Sequence, residues 1–429
     1  MHALQTPSAE TVAHAKTLNR HVLGPGALAE GEWAALGLPL PDVEAMRAYR
    51  LQRVRAELRR RDYAAIVLFD PLHVRYATDS TNMQLWITHN AGRYAFIAAD
   101  GPVILFDYDG CEHLSGHLDL IDEIRPAIPW FYFAAGERID HQARAWGAEI
   151  AALVTQWGGG NRRLAVDRCN PEGLGALARH GVEVHNGEAV METAREIKCA
   201  AEIAAMRCAI AACDRAVAVM ARHLAPGISE QQLWGHLHAE SIARGGEWIE
   251  TRLMASGPRT NPWFQECSSR IIEAGDLVAF DTDLIGAYGM CVDISRTWLC
   301  GDGKPSANQG ELHRLAHEQI LANTEWLRPG LSYRELTHHS LQYDPETFYH
   351  YSCLYHGVGL CDEAPCIYFP PAWEQFGYDG VLAPGMVVCV ESYVGRRSGG
   401  EGVKLENQVL ITDTGHEVLS HYPLALAGV

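Results

Sequence analysis

The sequence predicts two domains, an α/β unit followed by an α+β unit. Three observations carry this. The chain has 429 residues, which fits two domains on a prior of roughly 100–200 residues each. Strand and helix patterns alternate over residues 1–193. From residue 194 to 429, two long helical patterns lead into a strand-rich final third, the arrangement of helices set against an antiparallel sheet.

The residues up to about Pro41 read as helical or irregular and carry no motif. Ala45 to Arg60 has the apolar spacing of an Arg-rich amphipathic helix. Tyr63 to Asp70 (YAAIVLFD) is a strand, and PLHVRYATDS turns into a short helix. Arg93–Ala98 and Pro102–Phe106 form a strand pair across an Ala-Asp-Gly turn. Asp140 to Val154 is a helix, and Leu164 to Asp167 a short strand. The glycines Gly158 to Gly160 make a linker turn, because no Lys-Ser/Thr follows to complete a phosphate loop.

The second domain opens with one long helix across REIKCAAEIAAMRCAIAACDRAVAVMARHL, ended by Pro226-Gly227. Ser229 is placed to cap a second helix that runs to about Arg244. Strands follow at Arg252–Ser256 and Leu277–Phe280, then a hairpin. Helices at Gly310–Leu327 and Tyr333–Leu341 precede strands at Val387–Val394, Gly402–Gln408 and Val409–Thr412.

Composition narrows the function. Asp and Glu (53) outnumber Lys and Arg (35), a net charge of −18, and no basic run supplies a nucleic-acid surface. The 12 cysteines are scattered without a CxxC pair, and the first ten residues do not resemble a signal peptide. No apolar stretch is long enough to span a bilayer. These features predict a soluble, cytoplasmic protein with reduced thiols that serve mostly as small buried residues.

The chemistry gathers in four stretches of the second domain. VAFDTDLIGAYGMCVDISRTW places Asp281 and Asp283 two apart, on one face if both are in a strand. Its GAYGM turn, with Gly286 and Gly289, folds Asp293 back beside them. LYHGVGLCDEAP carries His356 ahead of Gly-rich backbone. MVVCVESYVG and GVKLENQVLIT place Glu391 and Glu406 inside apolar strands. An imidazole and several carboxylates on separate apolar strands are costly to bury unless cations sit among them. Shared carboxylates point to two divalent ions.

Taken in order, REIKCAAEIAAMR, PGISEQQL, VDISRT, HGVGL, PGMVVCVES and KLENQVLIT resemble the pita-bread metalloenzymes. These are methionine aminopeptidase, aminopeptidase P, prolidase and the metal-free creatinase. LFDPLHVRYAT in the first domain is similar to their creatinase-type N-terminal domain. The resemblance implies a creatinase-like α/β domain followed by a pita-bread α+β catalytic domain. It implies metal ligation by Asp281 or Asp283, Asp293, His356, Glu391 and Glu406. Three departures stand out. Two aspartates precede the hairpin turn instead of one. Asp362 stands where the hydrolases carry a second His, in a loop one residue shorter. Lys404 replaces an Arg before the last Glu.

With these departures, DTDLIGAYGMCVDISRTWLCGDGKP and YHYSCLYHGVGLCDEAP resemble the DddP-type dimethylsulfoniopropionate (DMSP) lyases. That resemblance implies cleavage of a small zwitterion to dimethyl sulfide and acrylate, two divalent ions with iron favoured (Mn, Zn, Co or Ni as substitutes), and a homodimer. It implies Asp362 as catalytic base, Tyr351 against the substrate, and Asp281, Asp283, Asp293, His356, Glu391 and Glu406 on the metals. The sulfonium calls for aromatic faces, for which Tyr351, Tyr355, Trp86 and Trp263 are candidates. The alternative is an X-Pro metallopeptidase that uses the same ions to activate water, against which the missing second His counts.

Overall fold

The computed structural model describes residues 24–81 and 89–426. They fall into two compact units. One is Asp42–Arg195; the other contains residues 24–41 and the chain from Glu196 onward. The domain boundary expected at 193/194 thus lies beside a compact-unit boundary at 195/196, while residues 24–41 cluster with the second unit. Their helix, Gly26–Ala35, buries Trp33 against Cys208, Ala212 and Ala287 of that unit.

The first unit holds a six-stranded sheet in the order β4-β3-β2-β1-β5-β6. The strands are β1 (Ala65–Leu68), β2 (Tyr94–Ala98), β3 (Val103–Asp107), β4 (Glu123–Pro126), β5 (Arg163–Val166) and β6 (Glu183–Asn186). β1 pairs antiparallel with β2 and parallel with β5, so the sheet is mixed. The helix Ile139–Trp157 buries Ala143, Trp146, Ile150, Leu153 and Val154 at helical spacing against it. At Gly147 this helix comes so close to Ala176 that an added Cβ would collide with the alanine's own Cβ.

In the second unit the long helical pattern divides. One helix ends at Arg195 and the next begins at Ala200 and runs to His223, so Glu196 to Cys199 is a break and not a helix interior. Ser229 caps the helix Glu230–Ala243 as expected, accepting a hydrogen bond from Gln232 N. Two three-stranded sheets follow. One is β11-β10-β7: Cys291–Val292, Leu284–Ile285 and Trp248–Ile249. The other is β12-β9-β8: Ser295–Leu299, Leu277–Asp281 and Met254–Ser256.

The largest sheet of this unit runs β15-β14-β16-β17-β18, with β13 on β16. These are β13 (Phe348–Tyr349), β14 (Tyr355–Val358), β15 (Asp362–Ile367), β16 (Val387–Arg396), β17 (Gly402–Ile411) and β18 (His416–Val418). β17 is one strand where the sequence suggested two, because its ladder with β16 continues without a break from Gly402 to Leu410. Period-two alternation divides the faces of this sheet. Val388, Val390, Val403, Leu405 and Val409 join Leu312, Leu315 and Ile320 of the helix Ala307–Glu325 in one apolar core. Cys389, Glu391, Lys404 and Glu406 therefore point the other way.

Candidate metal centre

The centre is assembled from strands whose polar residues face away from that core. Glu391 on β16 lies directly across from Glu406 on β17, and Asp281 on β9 across from Ser295 on β12. Strand β9 ends at Asp281, so alternation alone does not bring Asp283 to the same place. Asp283 has φ 37°, and Thr282 ties the two arms of the hairpin. Its Oγ1 donates to Val292 O (2.7 Å) and accepts from Ile294 N (3.1 Å). In the turn, Tyr288 takes a positive φ along with Gly289, while Gly286 does not.

Ligand atoms of Asp281, Asp283 and Asp293 lie within 4.8 Å of one another, as do those of Asp293, His356, Cys389 and Glu406. His356 Nε2 is 3.3 Å from Glu391 Oε1 and 3.5 Å from both Asp293 Oδ2 and Glu406 Oε1. Lys404 is fully buried, and its Nζ lies 3.0 Å from Asp281 Oδ2, 2.7 Å from Glu391 Oε2 and 2.9 Å from Glu406 Oε2. Ser295 Oγ donates to Glu406 Oε2 (2.8 Å). Arg296 braces the cluster from behind by donating to Glu406 O (2.6 Å).

Five carboxylates, one ammonium and one imidazole are thus buried together. Burial and the neighbouring charges push Asp281, Asp283 and Asp293 up, the last two well above the usual carboxylate range. Burial and Glu406 push Glu391 up to about 8, with Lys404 holding it back. Burial also opposes ionisation of Glu406, but Lys404 and His356 win and hold it well below its ordinary value. Against its own burial, Lys404 is held well above its ordinary value by Asp281, Glu391 and Glu406, and His356 likewise by Asp362 first and then by Glu391 and Glu406. Asp281 Oδ1 and Asp293 Oδ1 make no hydrogen bond among the described residues. Buried carboxylate oxygens without donors fit a cation. The charge count fits as well: five carboxylates less one ammonium leave four negative charges, which two divalent ions balance. The oxygen-rich donor set with one imidazole suits hard to borderline divalent ions.

His356 Nδ1 is 3.1 Å from Gly357 O. Donation from that nitrogen leaves Nε2 as the lone-pair side, facing the acids, as a metal ligand requires. On the Nδ1 side lies Asp362, its Oδ1 3.6 Å away. The Asp362 side chain is 61% exposed, so it is largely solvated in this single chain. It stands at the mouth of the cluster and not inside it.

The aromatic candidates separate. Tyr351 lies over the cluster, with Lys404 Nζ 4.4 Å from its ring centroid. Trp263 packs in the small apolar group beside it. Tyr355 is a correction. It neighbours His356 on β14 and so faces the opposite side, where it is fully buried in the apolar core and its hydroxyl meets Ser340 Oγ at 2.7 Å. It cannot touch a ligand of the carboxylate cluster. Trp86 lies outside the described residues. Sequence reasoning also passed over two residues. Phe264 lies against Tyr351 with ring centroids 5.1 Å apart and planes tilted by 31°, and nothing in its sequence context marks it. Cys389, one of the thiols expected mostly as small buried residues, has its Sγ 3.8 Å from Asp293 Oδ2. Its position two before Glu391 on one strand was the available signal.

With this geometry in hand, the relatives can be placed. Residues 204–413 match Metallopeptidase family M24, and residues 50–197 match the Creatinase/Prolidase N-terminal domain. The dimethylsulfoniopropionate lyase DddP of Roseovarius nubinhibens is 49% identical over 411 residues, covering 94% of this chain and 92% of that protein. The chain belongs to the DddP family. The DddP protein of Roseobacter denitrificans is 46% identical, over 96% of this chain and 94% of its own. Among solved structures, an Xaa-Pro dipeptidase from Bacillus anthracis superposes with a TM-score of 0.70 at 25% identity, covering 88% of this chain and 98% of its own. Dipeptidase PepE from Mycobacterium ulcerans gives 0.70 at 23% identity, covering 91% and 100%, which shows the shared fold. This DddP family member thus has the creatinase-like and pita-bread architecture expected from its motifs, and it carries a cluster of possible metal ligands within an M24 fold.

Proposed function

We propose that this chain cleaves dimethylsulfoniopropionate to dimethyl sulfide and acrylate. The observation that carries the reading is the near full-length identity to two DddP lyases. The buried excess of carboxylates around His356 supports its metal dependence. Asp281, Asp283, Asp293, His356, Glu391 and Glu406 would hold two divalent ions, with iron favoured. When bound, those ions would supply Lewis-acid stabilisation for charge that develops on the substrate carboxylate.

The remaining steps fall to the chain itself. Asp362 takes the proton from the carbon next to the carboxylate. The C–H electron pair becomes the new C=C bond, the C–S bond breaks, and its electron pair leaves with neutral dimethyl sulfide. A substrate seated against the exposed Asp362 carboxyl supplies the desolvation that the free chain lacks. Tyr351, with the tilted ring of Phe264 against it, offers aromatic surface to the sulfonium. Lys404 offsets part of the acid cluster's charge at 2.7–3.0 Å. The resemblance also supports a homodimer, the scattered cysteines favour a reducing, cytoplasmic compartment, and no described helix is long and apolar enough to cross a membrane.

Gas chromatography of the headspace over purified protein and DMSP tests the reading. Stoichiometric dimethyl sulfide and acrylate are the expected products. No dimethyl sulfide from metal-loaded protein, with turnover of an X-Pro dipeptide in its place, overturns it in favour of peptidase chemistry.

A further inference from the structure

The β14–β15 hairpin has two faces. On the front, Asp362 is paired with Val358 across the strands and reaches towards His356. On the back, the next residue, Glu363, sits across from Gly357. Successive residues of a strand point to opposite faces, so the direction of Glu363 sets the direction of Asp362.

The ladder alone holds this end of β15 weakly. Between His356 and Gly357 the partner changes from Cys366 to Glu363. One step along β14 thus matches three along β15, which leaves two residues bulged. What holds Glu363 is a buried ion pair with Lys198. The two side chains are 0% and 4% exposed. Lys198 is itself fixed in the break between helices, where its N–H donates to Gly385 O (2.9 Å). Gly385 has φ 88° and no room for a Cβ against the Lys198 carbonyl. The Glu363 carboxylate also occupies the space that a Cβ on Gly359 would need, so it packs the hairpin loop from behind.

A buried ion pair costs desolvation, and apolar residues of similar volume often serve stability as well or better. Its use here is therefore geometric. We propose that the Lys198–Glu363 pair is a positioning device for the reaction: it pins the back of β15 so that Asp362 is presented on the front, beside His356. This rests on the reading of Asp362 as the base. Neither Lys198 nor Glu363 touches the substrate.

The test compares Glu363→Gln, the double variant Lys198→Met with Glu363→Leu, and Asp362→Asn. The double variant removes the pair without leaving a lone buried charge. Each protein is assayed for metal content, KM, kcat and the primary isotope effect with DMSP deuterated next to its carboxylate. A base displaced by about 1 Å can lose on the order of 100-fold in rate. The double variant is expected to keep its metal and to hold KM within about twofold, while kcat falls by roughly 10- to 100-fold. Its isotope effect rises, because proton transfer becomes slower relative to other steps. Glu363→Gln keeps an acceptor for Lys198 and shows the same changes to a smaller extent. If the double variant does not fold, Glu363→Gln decides alone. Wild-type kcat, or a fall in kcat that tracks metal loss with an unchanged isotope effect, overturns the positioning role. Full activity in Asp362→Asn instead overturns the reading beneath it, whatever the Lys198 and Glu363 variants do.

Discussion

Both units bury charge, and they do so in opposite ways. In the first, Asp167 accepts from Phe69 N (2.8 Å), Arg168 N (2.7 Å) and Asp70 N (3.0 Å), and meets His73 Nδ1 at 2.9 Å. Elsewhere in this unit, Arg93 pairs with Asp107 at 3.0 Å, with both side chains almost wholly buried. These acids meet a matching supply of donors. In the second unit five carboxylates crowd around Lys404 and His356, and oxygens of Asp281 and Asp293 find no donor among the described residues. A balanced buried group explains itself by the fold it holds. A buried surplus of one sign destabilises the chain that carries it and so points to a missing counter-charge.

The contrast is broken most severely by removing ligands. Glu406→Ala or His356→Ala should lose both bound metal and dimethyl sulfide release, read by elemental analysis and headspace assay. Asp362→Asn should lower kcat by about 10²–10⁴-fold with metal content unchanged. Metal lost along with activity would instead make Asp362 an orienting partner of His356, through the 3.6 Å contact to Nδ1.

In the first unit the expectation reverses. Arg93→Met takes the guanidinium away from the buried Asp107 carboxylate, and should cost about 3–5 kcal/mol of unfolding free energy. Denaturant titration reads that loss, while metal per folded chain stays the same. A smaller effect concerns pH. Asp281, Asp283, Asp293 and Glu391 are all raised in the folded chain, Glu391 to about 8. Folded metal-stripped protein therefore holds protons that the unfolded chain releases near about pH 4–4.5. The stability linked to them is present below that range and lost as pH rises through their raised values, about 8 for Glu391. Glu406 has the opposite sign, but its contribution is lost only as pH falls below its depressed value. Tm of the stripped protein should fall from about pH 5.5 to about pH 8.5, and bound metal should flatten the fall. A stripped-protein Tm that rises over this interval would contradict the picture.

The strand that carries Glu391 was legible as a short β-branched apolar run, and the strand that carries Glu406 by the alternation of Val403, Lys404, Leu405 and Glu406. The Ser229 cap was legible for the same local reason. What sequence did not disclose depended on contacts between distant residues. Gly26–Ala35 is a short helix whose Trp33 finds its partners far along the chain. Tyr355 is a candidate for the sulfonium as an aromatic residue only, and neighbours on a strand face apart, so it points away from His356. Asp283 reaches its companions through a positive φ and the Thr282 tie, which no periodicity encodes. The strands β4 and β6 and the helices Pro171–Ala178 and Pro370–Phe376 are short. They carry too few residues for a period to show.

Metal titration tests the central claim most directly. Stripped protein should release no dimethyl sulfide from DMSP. Added divalent iron should restore release in proportion to the ion bound, up to two ions per chain. Full release from protein that contains no metal, or saturation without any ion bound among these carboxylates, would contradict the account.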